Sequence, residues 1–261
     1  MIARFSLRFG VLAYLAAILL VPVGLVFWRT FDHGFGTAWD SVTTPDAKHA
    51  FWLTLEIAAI SVPLNTIFGV LCALAIVRRR FPGKGMLNAV VDLPLALSPV
   101  VAGLAIVLLY GPSGWLGSLP FDVLYATPAM VLATIFVSLP FVVREVVPVL
   151  REIGTDQEEA AATLGAGAFS TFRRVTFPAI RWAVAYGVVL TTARSIGEYG
   201  AVRVVSGNIE GKTQTMTLLV QDKYEQQFDL TGAYAASVVL ALIAIATLVL
   251  MTVIRPREET M

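Results

Sequence analysis

The sequence predicts an all-α integral membrane protein with six transmembrane helices and both termini on the cytoplasmic side. The composition is 57% hydrophobic and only 14% charged, whereas soluble domains carry about 25% charged residues. Six apolar segments reach the roughly 20 residues that a membrane helix needs. They lie at 11–28, 51–77, 87–110, 123–143, 182–204 and 233–254. Lysine and arginine residues gather in alternate connecting segments, which sets the orientation.

The first segment could be a secretory signal, because Arg4 and Arg8 precede its apolar core. Its core is longer than that of a usual signal, and no convincing cleavage site follows Trp28. We therefore interpret it as a retained anchor; cleavage would leave five spans. We expect residues 1–50 to form this anchor and an outer loop, 51–254 a core domain, and 255–261 a cytoplasmic tail.

Basic residues indicate the orientation, since they are held on the cytoplasmic side during insertion. With the N-terminus inside, 13 of the 19 fall in segments that face the cytoplasm. They are Arg4, Arg8, Arg78, Arg79, Arg80, Lys84, Arg144, Arg151, Arg173, Arg174, Arg181, Arg255 and Arg257. The same orientation places the loop at 151–181, between spans four and five, in the cytoplasm.

Spans two and three contain proline and polar residues. They are Glu56, Pro63 and Asn65 in span two, and Asp92, Pro94, Ser98, Pro99 and Gly103 in span three. Prolines free backbone groups that lipid cannot satisfy, so these helices should be buried in protein or line a cavity. We expect a capping or interfacial role for Asp92 and Glu56.

Span five carries Arg194 and Glu198, four residues apart and so on one helical face. Charges at such depth are rare and mark either a pathway or a buried pair. Two interpretations stay open: the pair neutralises itself and braces the bundle, or it forms part of a gate or path. The other candidate path residues are Ser98, Pro99, Ser195, Gly197 and Gly200.

The cytoplasmic loop contains the polar stretch TDQEEAAATLGAGAFSTFRRVTFP at 155–178. Thr155 and Glu158 form a capping-box pattern, which predicts a helix that starts near Asp156. Gly165 and Gly167 should end that helix and permit a reversal.

A second helix should follow the reversal. Phe169, Phe172 and Val175 recur at three-residue steps and would give it an aromatic stripe, and Pro178 should close it before span five. An amphipathic hairpin lying on the lipid surface is the alternative interpretation.

The spacing in this loop resembles the E-A-A loop of ABC importer permeases, which reads E-A-A, three residues, G, nine residues, I-x-L-P. Here it reads Glu159-Ala160-Ala161, Gly165, Val175 and Phe177-Pro178, with Val for Ile and Phe for Leu. The resemblance implies the type I ABC importer permease fold and a coupling helix that rests in a cleft of an ATPase subunit. The docking residues that it implies are Glu158, Glu159, Ala160, Ala161, Gly165, Phe169, Val175, Phe177 and Pro178.

Further stretches resemble the W-type permease subunit of bacterial sulfate/thiosulfate ABC importers. They are DLPLALSPVVAGLAIVLLYG at 92–111, LPFVVREVVPVL at 139–150, ARSIGEYGAVRVVSG at 193–207 and GKTQTMTLLVQDKY at 211–224. This resemblance implies the bacterial inner membrane, a homologous T-type permease, two copies of an ABC ATPase and a periplasmic sulfate/thiosulfate-binding protein. Molybdate/tungstate permeases share the E-A-A loop and a version of ARSIGE, and are the nearest alternative.

Other function classes have weaker support. The stretch GNIEGKT at 207–213 has three residues between its glycines, whereas a phosphate-binding loop needs four. We therefore expect no catalysis and no cofactor here, with ATP-Mg bound by a partner subunit. His33 and His49 share one outer loop without a metal-ligand pattern, and Cys72 lies in an apolar run. A secondary anion transporter would often show two repeated halves, but no such repeat is visible.

Overall fold

The computed structural model describes residues 2–118 and 122–254, and within these ranges it contains helices and no strand. The α-helices are α1 (Ile2–Phe31), α2 (Phe35–Val42), α3 (Pro45–Arg78), α4 (Lys84–Ala96), α5 (Pro99–Tyr110), α6 (Thr127–Glu152), α7 (Asp156–Thr163), α8 (Ala168–Thr171), α9 (Phe177–Ile196), α10 (Gly200–Ser206), α11 (Met216–Glu225) and α12 (Leu230–Ile254). A π-helical segment, Phe172–Thr176, lies between α8 and α9.

Several of these helices are long and apolar enough to cross a membrane. In the described part of the chain they are Gly10–Phe31, Pro45–Arg78, Thr127–Glu152, Ala168–Ile196 and Leu230–Thr247, and the bent pair α4–α5 makes a sixth if it is counted as one span. The prediction of an all-helical, multi-span protein is thus confirmed. The tail predicted at 255–261, with Arg255 and Arg257, lies outside the described residues.

Span three is not the single straight helix that was predicted over 87–110. It breaks after Ala96, and α5 leaves α4 at an angle of 113°. Leu97 and Ser98 are extended, with ψ angles of 143° and 135°. The cause is Pro99, because a proline disfavours the helical conformation in the residue before it and is itself well suited to begin a helix.

Span two begins six residues earlier than predicted, at Pro45. The Thr44 hydroxyl accepts a hydrogen bond from the backbone N–H of Ala47 at 3.2 Å, and Pro45 occupies the first turn. These are the usual signals of a helix start. His49 therefore belongs to α3 rather than to an outer loop, and its Nε2 lies 3.2 Å from the carbonyl oxygen of Lys212.

Span four was predicted to end at residue 143, but α6 continues to Glu152. The apolar window stopped at Arg144, and in the structure this half-exposed residue is paired with a carboxylate of α4. Arg144 Nε donates to Asp92 Oδ1 of α4 at 2.6 Å, and Arg144 Nη2 donates to Asp92 Oδ2. Arg144 thus lies within α6 rather than in a connecting loop, and Asp92, inside α4, is its ion-pair partner rather than a helix cap.

Two glycines bring three spans together at the centre of the bundle. A Cβ at Gly69 of α3 would lie 2.7 Å from Val142 Cβ, and a Cβ at Gly187 of α9 would lie 2.9 Å from Val142 Cα. Small residues at such crossings let helix backbones approach closely in membranes. α6 is thus held tightly between α3 and α9.

The buried core of these three helices has a polar layer between two apolar clusters. Asn65 Nδ2 of α3 donates to Ser138 Oγ of α6 at 3.0 Å, and Ser138 Oγ donates to the carbonyl oxygen of Thr134. All three side chains are buried. One apolar cluster lies toward the end of the bundle that contains Arg78 and Glu152, which we call the inner end, and the other lies toward the opposite, outer end.

Candidate functional site

The polar loop forms a hairpin that projects from the inner end of the bundle. Its first arm, α7, begins at Asp156 as predicted, directly after Thr155. The predicted capping-box contact is wrong, because the Thr155 hydroxyl donates to Glu159 Oε1 at 2.7 Å and caps no backbone N–H. Glu158 turns the other way and accepts hydrogen bonds from Arg78 of α3.

The reversal after α7 follows the predicted glycine. Gly165 has a φ of +84°, which side chains rarely adopt. Its N–H donates to the carbonyl oxygen of Ala162, and the next N–H, of Ala166, donates to that of Ala161, both at 3.0 Å. This pair of bonds is the Schellman arrangement that ends many helices, and it depends on a residue that tolerates positive φ.

The second arm does not end at Pro178, as had been predicted. Ala168–Ile196 is one helical stretch of 29 residues that runs from the hairpin into span five. Proline cannot donate the helical hydrogen bond and normally crowds the preceding turn. Here the π-helical segment directly before it widens the backbone, with Phe177 N–H donating to Phe172 O. The hairpin is therefore continuous with a membrane span.

Two large apolar side chains are exposed at the tip of the hairpin: Leu164 is 89% exposed and Phe169 is 76% exposed. Beside them lies a cleft of about 350 Å³ between the two arms. The structure places most of the predicted docking residues on this projecting surface. Glu159, Ala160, Gly165, Phe169, Phe177 and Pro178 are exposed, while Glu158, Ala161 and Val175 are half-buried. Exposed apolar groups of this kind mark protein or membrane contacts.

The candidate path residues gather where two helices are interrupted. Span five was predicted to run to residue 204, but α9 ends at Ile196 and α10 begins at Gly200. This second break meets the first one, since a Cβ at Gly200 would lie 3.0 Å from Pro99 Cβ. Pro99 therefore packs against Gly200, with Ser98 directly before it in the chain.

Arg194 and Glu198 form the ion pair that the sequence predicted, although not on one continuous helix. Arg194 Nη1 lies 2.6 Å from Glu198 Oε2, and the Glu198 side chain is 2% exposed. Glu198 Oε1 accepts the backbone N–H of Ala201 at 2.8 Å, and the Glu198 carbonyl accepts the Thr217 hydroxyl at 2.8 Å. One residue thus joins α9, the start of α10 and α11.

Several contacts were missed by the sequence analysis. The half-exposed Asp92–Arg144 pair is one of them; each of its residues is eight positions from the inner end of its helix, or about 12 Å along the helix axis. Opposite charges in neighbouring spans were a usable signal for it. Arg78 could not be distinguished from Arg79 and Arg80 in sequence, yet its side chain is only 13% exposed and makes four hydrogen bonds.

The glycine-rich turn at 207–213 is closed by its own contacts. The Thr213 hydroxyl donates to the carbonyl oxygen of Ser206 at 2.7 Å and accepts the N–H of Ile209 at 3.1 Å. Lys212 N–H also donates to the carbonyl oxygen of Ile209. These bonds hold the turn at the outer end, away from the hairpin.

Comparison with protein families gives one match that covers most of the chain. Residues 65–260 match the model of the binding-protein-dependent transport system inner membrane component. The matched range includes the hairpin, both helix breaks, and the Asp92–Arg144 and Arg194–Glu198 ion pairs.

Similar proteins and structures agree with this match. The chain is 51% identical over 250 residues to a sulfate transport system permease protein CysW of Synechococcus elongatus, covering 94% of this chain and 87% of that one. It is 40% identical over 243 residues to the sulfate transport system permease protein CysT of Salmonella typhimurium, and the match covers 91% of this chain and 87% of that one. A crystal structure of a bacterial alginate ABC transporter has a similar fold, with a TM-score of 0.78 at 18% identity over 99% of this chain and 95% of that one.

Proposed function

Since the chain belongs to the family of binding-protein-dependent transport inner membrane components, we propose that it is the W-type permease subunit of an ATP-driven sulfate and thiosulfate importer. The observation that carries this proposal is the 51% identity to a CysW sulfate permease along 94% of the chain. The identity to a CysT permease is lower, at 40%, which favours the W-type over the T-type role.

The hairpin is the part that links transport to ATP hydrolysis. Its tip presents Leu164 and Phe169 to the outside, and burial of such side chains against a partner is favourable. The second arm runs without interruption into span five. A movement of the hairpin is therefore transmitted directly to that membrane helix. ATP-Mg is bound and hydrolysed by the docked subunit, and this chain needs no cofactor of its own.

The charges within the bundle suit the passage of a dianion. Arg194 is paired with Glu198, and Arg144 with Asp92. A conducting site must bind its ion weakly enough to release it, and an arginine that is already neutralised does not hold sulfate tightly. The contacts of Glu198 with three helices favour the bracing interpretation for that pair. Of its small neighbours, Gly197 is exposed, whereas Ser195 is buried and Gly200 packs closely against Pro99.

The complete importer contains further subunits. The resemblance to a T-type permease supports a homologous second permease, and the alginate transporter structure includes a periplasmic protein in its complex. We propose a pair of permeases, two copies of an ABC ATPase and a periplasmic sulfate/thiosulfate-binding protein, all assembled at the bacterial inner membrane.

Uptake of labelled sulfate by the reconstituted complex tests this function. We expect uptake that requires ATP and the sulfate-binding protein, and that excess thiosulfate inhibits. Uptake driven by an ion gradient without the ATPase would instead indicate a secondary transporter. Preferential transport of molybdate, with its own binding protein, would indicate the alternative ABC permease.

Substitutions in the hairpin provide a matched test of coupling. Gly165→Val should leave the complex in the membrane but lower uptake by roughly tenfold, a typical size for a coupling free energy between two sites. The reason is that valine is strained at the φ of +84°. Gly167→Val is the control, because Gly167 has a φ of −72° and open space around it. Equal uptake by both variants would contradict the coupling role of the hairpin.

A further inference from the structure

Arg78 joins the hairpin to the membrane bundle. It is the last residue of α3, and its guanidinium donates to Glu158 Oε2 at 2.9 Å and Oε1 at 3.2 Å. The same group donates to the carbonyl oxygens of Leu150 at 2.8 Å and Gly154 at 2.7 Å. One side chain therefore holds the end of α3, the end of α6 and the first turn of α7 together.

Glu158 extends this connection to the second arm. Its Oε1 also accepts the hydroxyl of Thr176 at 2.9 Å, and Thr176 is buried in the π-helical segment that leads into α9. We call the set of Arg78, Glu158, Thr176 and the carbonyls of Leu150 and Gly154 the Arg78 joint. Through it, α3, α6, α7 and α9 meet at one point.

The joint matters because α7 has little other anchorage. None of its residues is buried, and its main contacts are with α8 and the π-helical segment of the same hairpin. Apolar packing therefore does not fix α7 to the spans. Charge-assisted, two-point arginine–carboxylate bonds are both strong and geometrically specific. The Arg78 joint supplies the rigid connection that packing does not.

We propose that Arg78 is a positioning residue for transport: it makes the hairpin and the inner ends of α3, α6 and α9 move as one body when the ATPase subunit moves. This rests on the proposed function. Without the joint, the first arm, α7, could pivot about residues 153–155, and the motion that the ATPase imparts to α7 would not reach α3 and α6. Lysine cannot replace arginine fully, because a single ammonium does not match a carboxylate and two carbonyls at once.

The proposal is tested in the reconstituted complex by measuring sulfate transported per ATP hydrolysed, together with the amount of assembled complex. In Arg78→Gln we expect ATP hydrolysis to continue while the ratio falls roughly fivefold or more, the lower end of typical coupling effects. The ratio of sulfate transported to ATP hydrolysed in Arg78→Lys should lie between that of Arg78→Gln and that of wild type. Arg79→Gln is the matched control, since Arg79 is the exposed neighbour with the same charge, and its ratio should not change.

The ratio separates positioning from simple structural support. A variant that only destabilises the protein lowers the amount of complex, but each surviving complex transports with the wild-type ratio. Assembled Arg78→Gln complex with a wild-type ratio would overturn the proposal. If Arg78→Gln does not assemble, Glu158→Gln and Thr176→Val, which keep the bonds of Arg78 to Leu150 and Gly154, decide the question by the same ratio.

A second measurement keeps the wild-type joint intact. Ala75 of α3 and Ala162 of α7 line one groove of about 580 Å³ beside Arg78. In a Cys72→Ser background, cysteines at both positions can be tied by a bifunctional maleimide. Because the two elements move together, the tie should leave uptake within roughly twofold of the same variant labelled with a monofunctional maleimide. Loss of uptake only in the tied protein would show that they must separate, and would overturn the proposal.

Failure of the proposed function is recognised independently. If the wild-type complex hydrolyses ATP but imports no sulfate, the substrate assignment is wrong, whatever Arg78 does. If wild type imports sulfate and Arg78→Gln imports it with the same ratio, only the role of the joint is wrong.

Discussion

Glu198 carries a negative charge that is almost completely buried, and three groups hold it in place. Arg194 neutralises it, the N–H of Ala201 donates to it, and Thr217 fixes its carbonyl. The two partners of the ion pair are not equivalent, because the Arg194 side chain is 29% exposed and that of Glu198 is 2% exposed. Removing the charge of Arg194 and removing the charge of Glu198 should therefore have different consequences for stability.

This asymmetry predicts different stabilities for the two single variants. Arg194→Gln leaves a buried carboxylate without its counter-charge, which typically costs about 3–5 kcal/mol. Glu198→Gln leaves an arginine that can reach water, and glutamine can still accept the N–H of Ala201. We expect thermal unfolding of the purified complex to show a large loss for Arg194→Gln and a smaller one for Glu198→Gln.

The double variant is the control for the pair. If the pair only braces the bundle, Arg194→Gln with Glu198→Gln should recover both assembly and sulfate uptake. A double variant that assembles but transports slowly would instead place Arg194 on the path. Equal destabilisation by the two single variants would contradict the geometry of the buried carboxylate.

The helices themselves show which sequence signals were sufficient. The apolar segments and the basic residues predicted the multi-span helical fold, and Gly165 predicted the reversal of the hairpin. The extent of α6 was missed because Arg144 ended the apolar window, while Asp92, which neutralises it, lies 52 residues away in sequence. Pro178 was read as a stop because the π-helical segment that accommodates it has no marker in single-sequence propensities.

Helix packing at Val142 gives a prediction for α6 and α9. Gly187→Ala places a Cβ against the Val142 backbone, and such overpacking typically costs about 1–3 kcal/mol. Gly24→Ala in α1 is the control, because nothing lies within 4 Å of the added atom. Its expected effect is neutral or slightly favourable, as glycine inside a helix costs about 0.5–1 kcal/mol relative to alanine.

Thermal unfolding of the purified complex compares these two variants. We expect a lower transition temperature for Gly187→Ala than for Gly24→Ala. The same transition temperature in both would mean that α6 and α9 have space to separate without cost, contrary to the close crossing in the structure.

The whole molecule has two ends with different chemistry. The inner end contains the hairpin, the Arg78 joint and a run of basic residues, and the outer end contains the turn at 207–213 and the loop that follows α5. The helix breaks and the Asp92–Arg144 and Arg194–Glu198 ion pairs lie between these ends. Under the proposed function, force applied at the hairpin enters through the Arg78 joint and the continuous second arm, and reaches the breaks through α9.

Site-specific photo-crosslinking in the assembled importer tests the docking of the motor most directly. A photoreactive residue in place of Phe169, which is 76% exposed at the hairpin tip, should form an adduct with the ATPase subunit. The same residue in place of Trp115, which is 92% exposed in the loop after α5, should form none with that subunit. Adducts with the ATPase from Trp115, or their absence from Phe169 in a complex that imports sulfate, would contradict the hairpin as the motor contact.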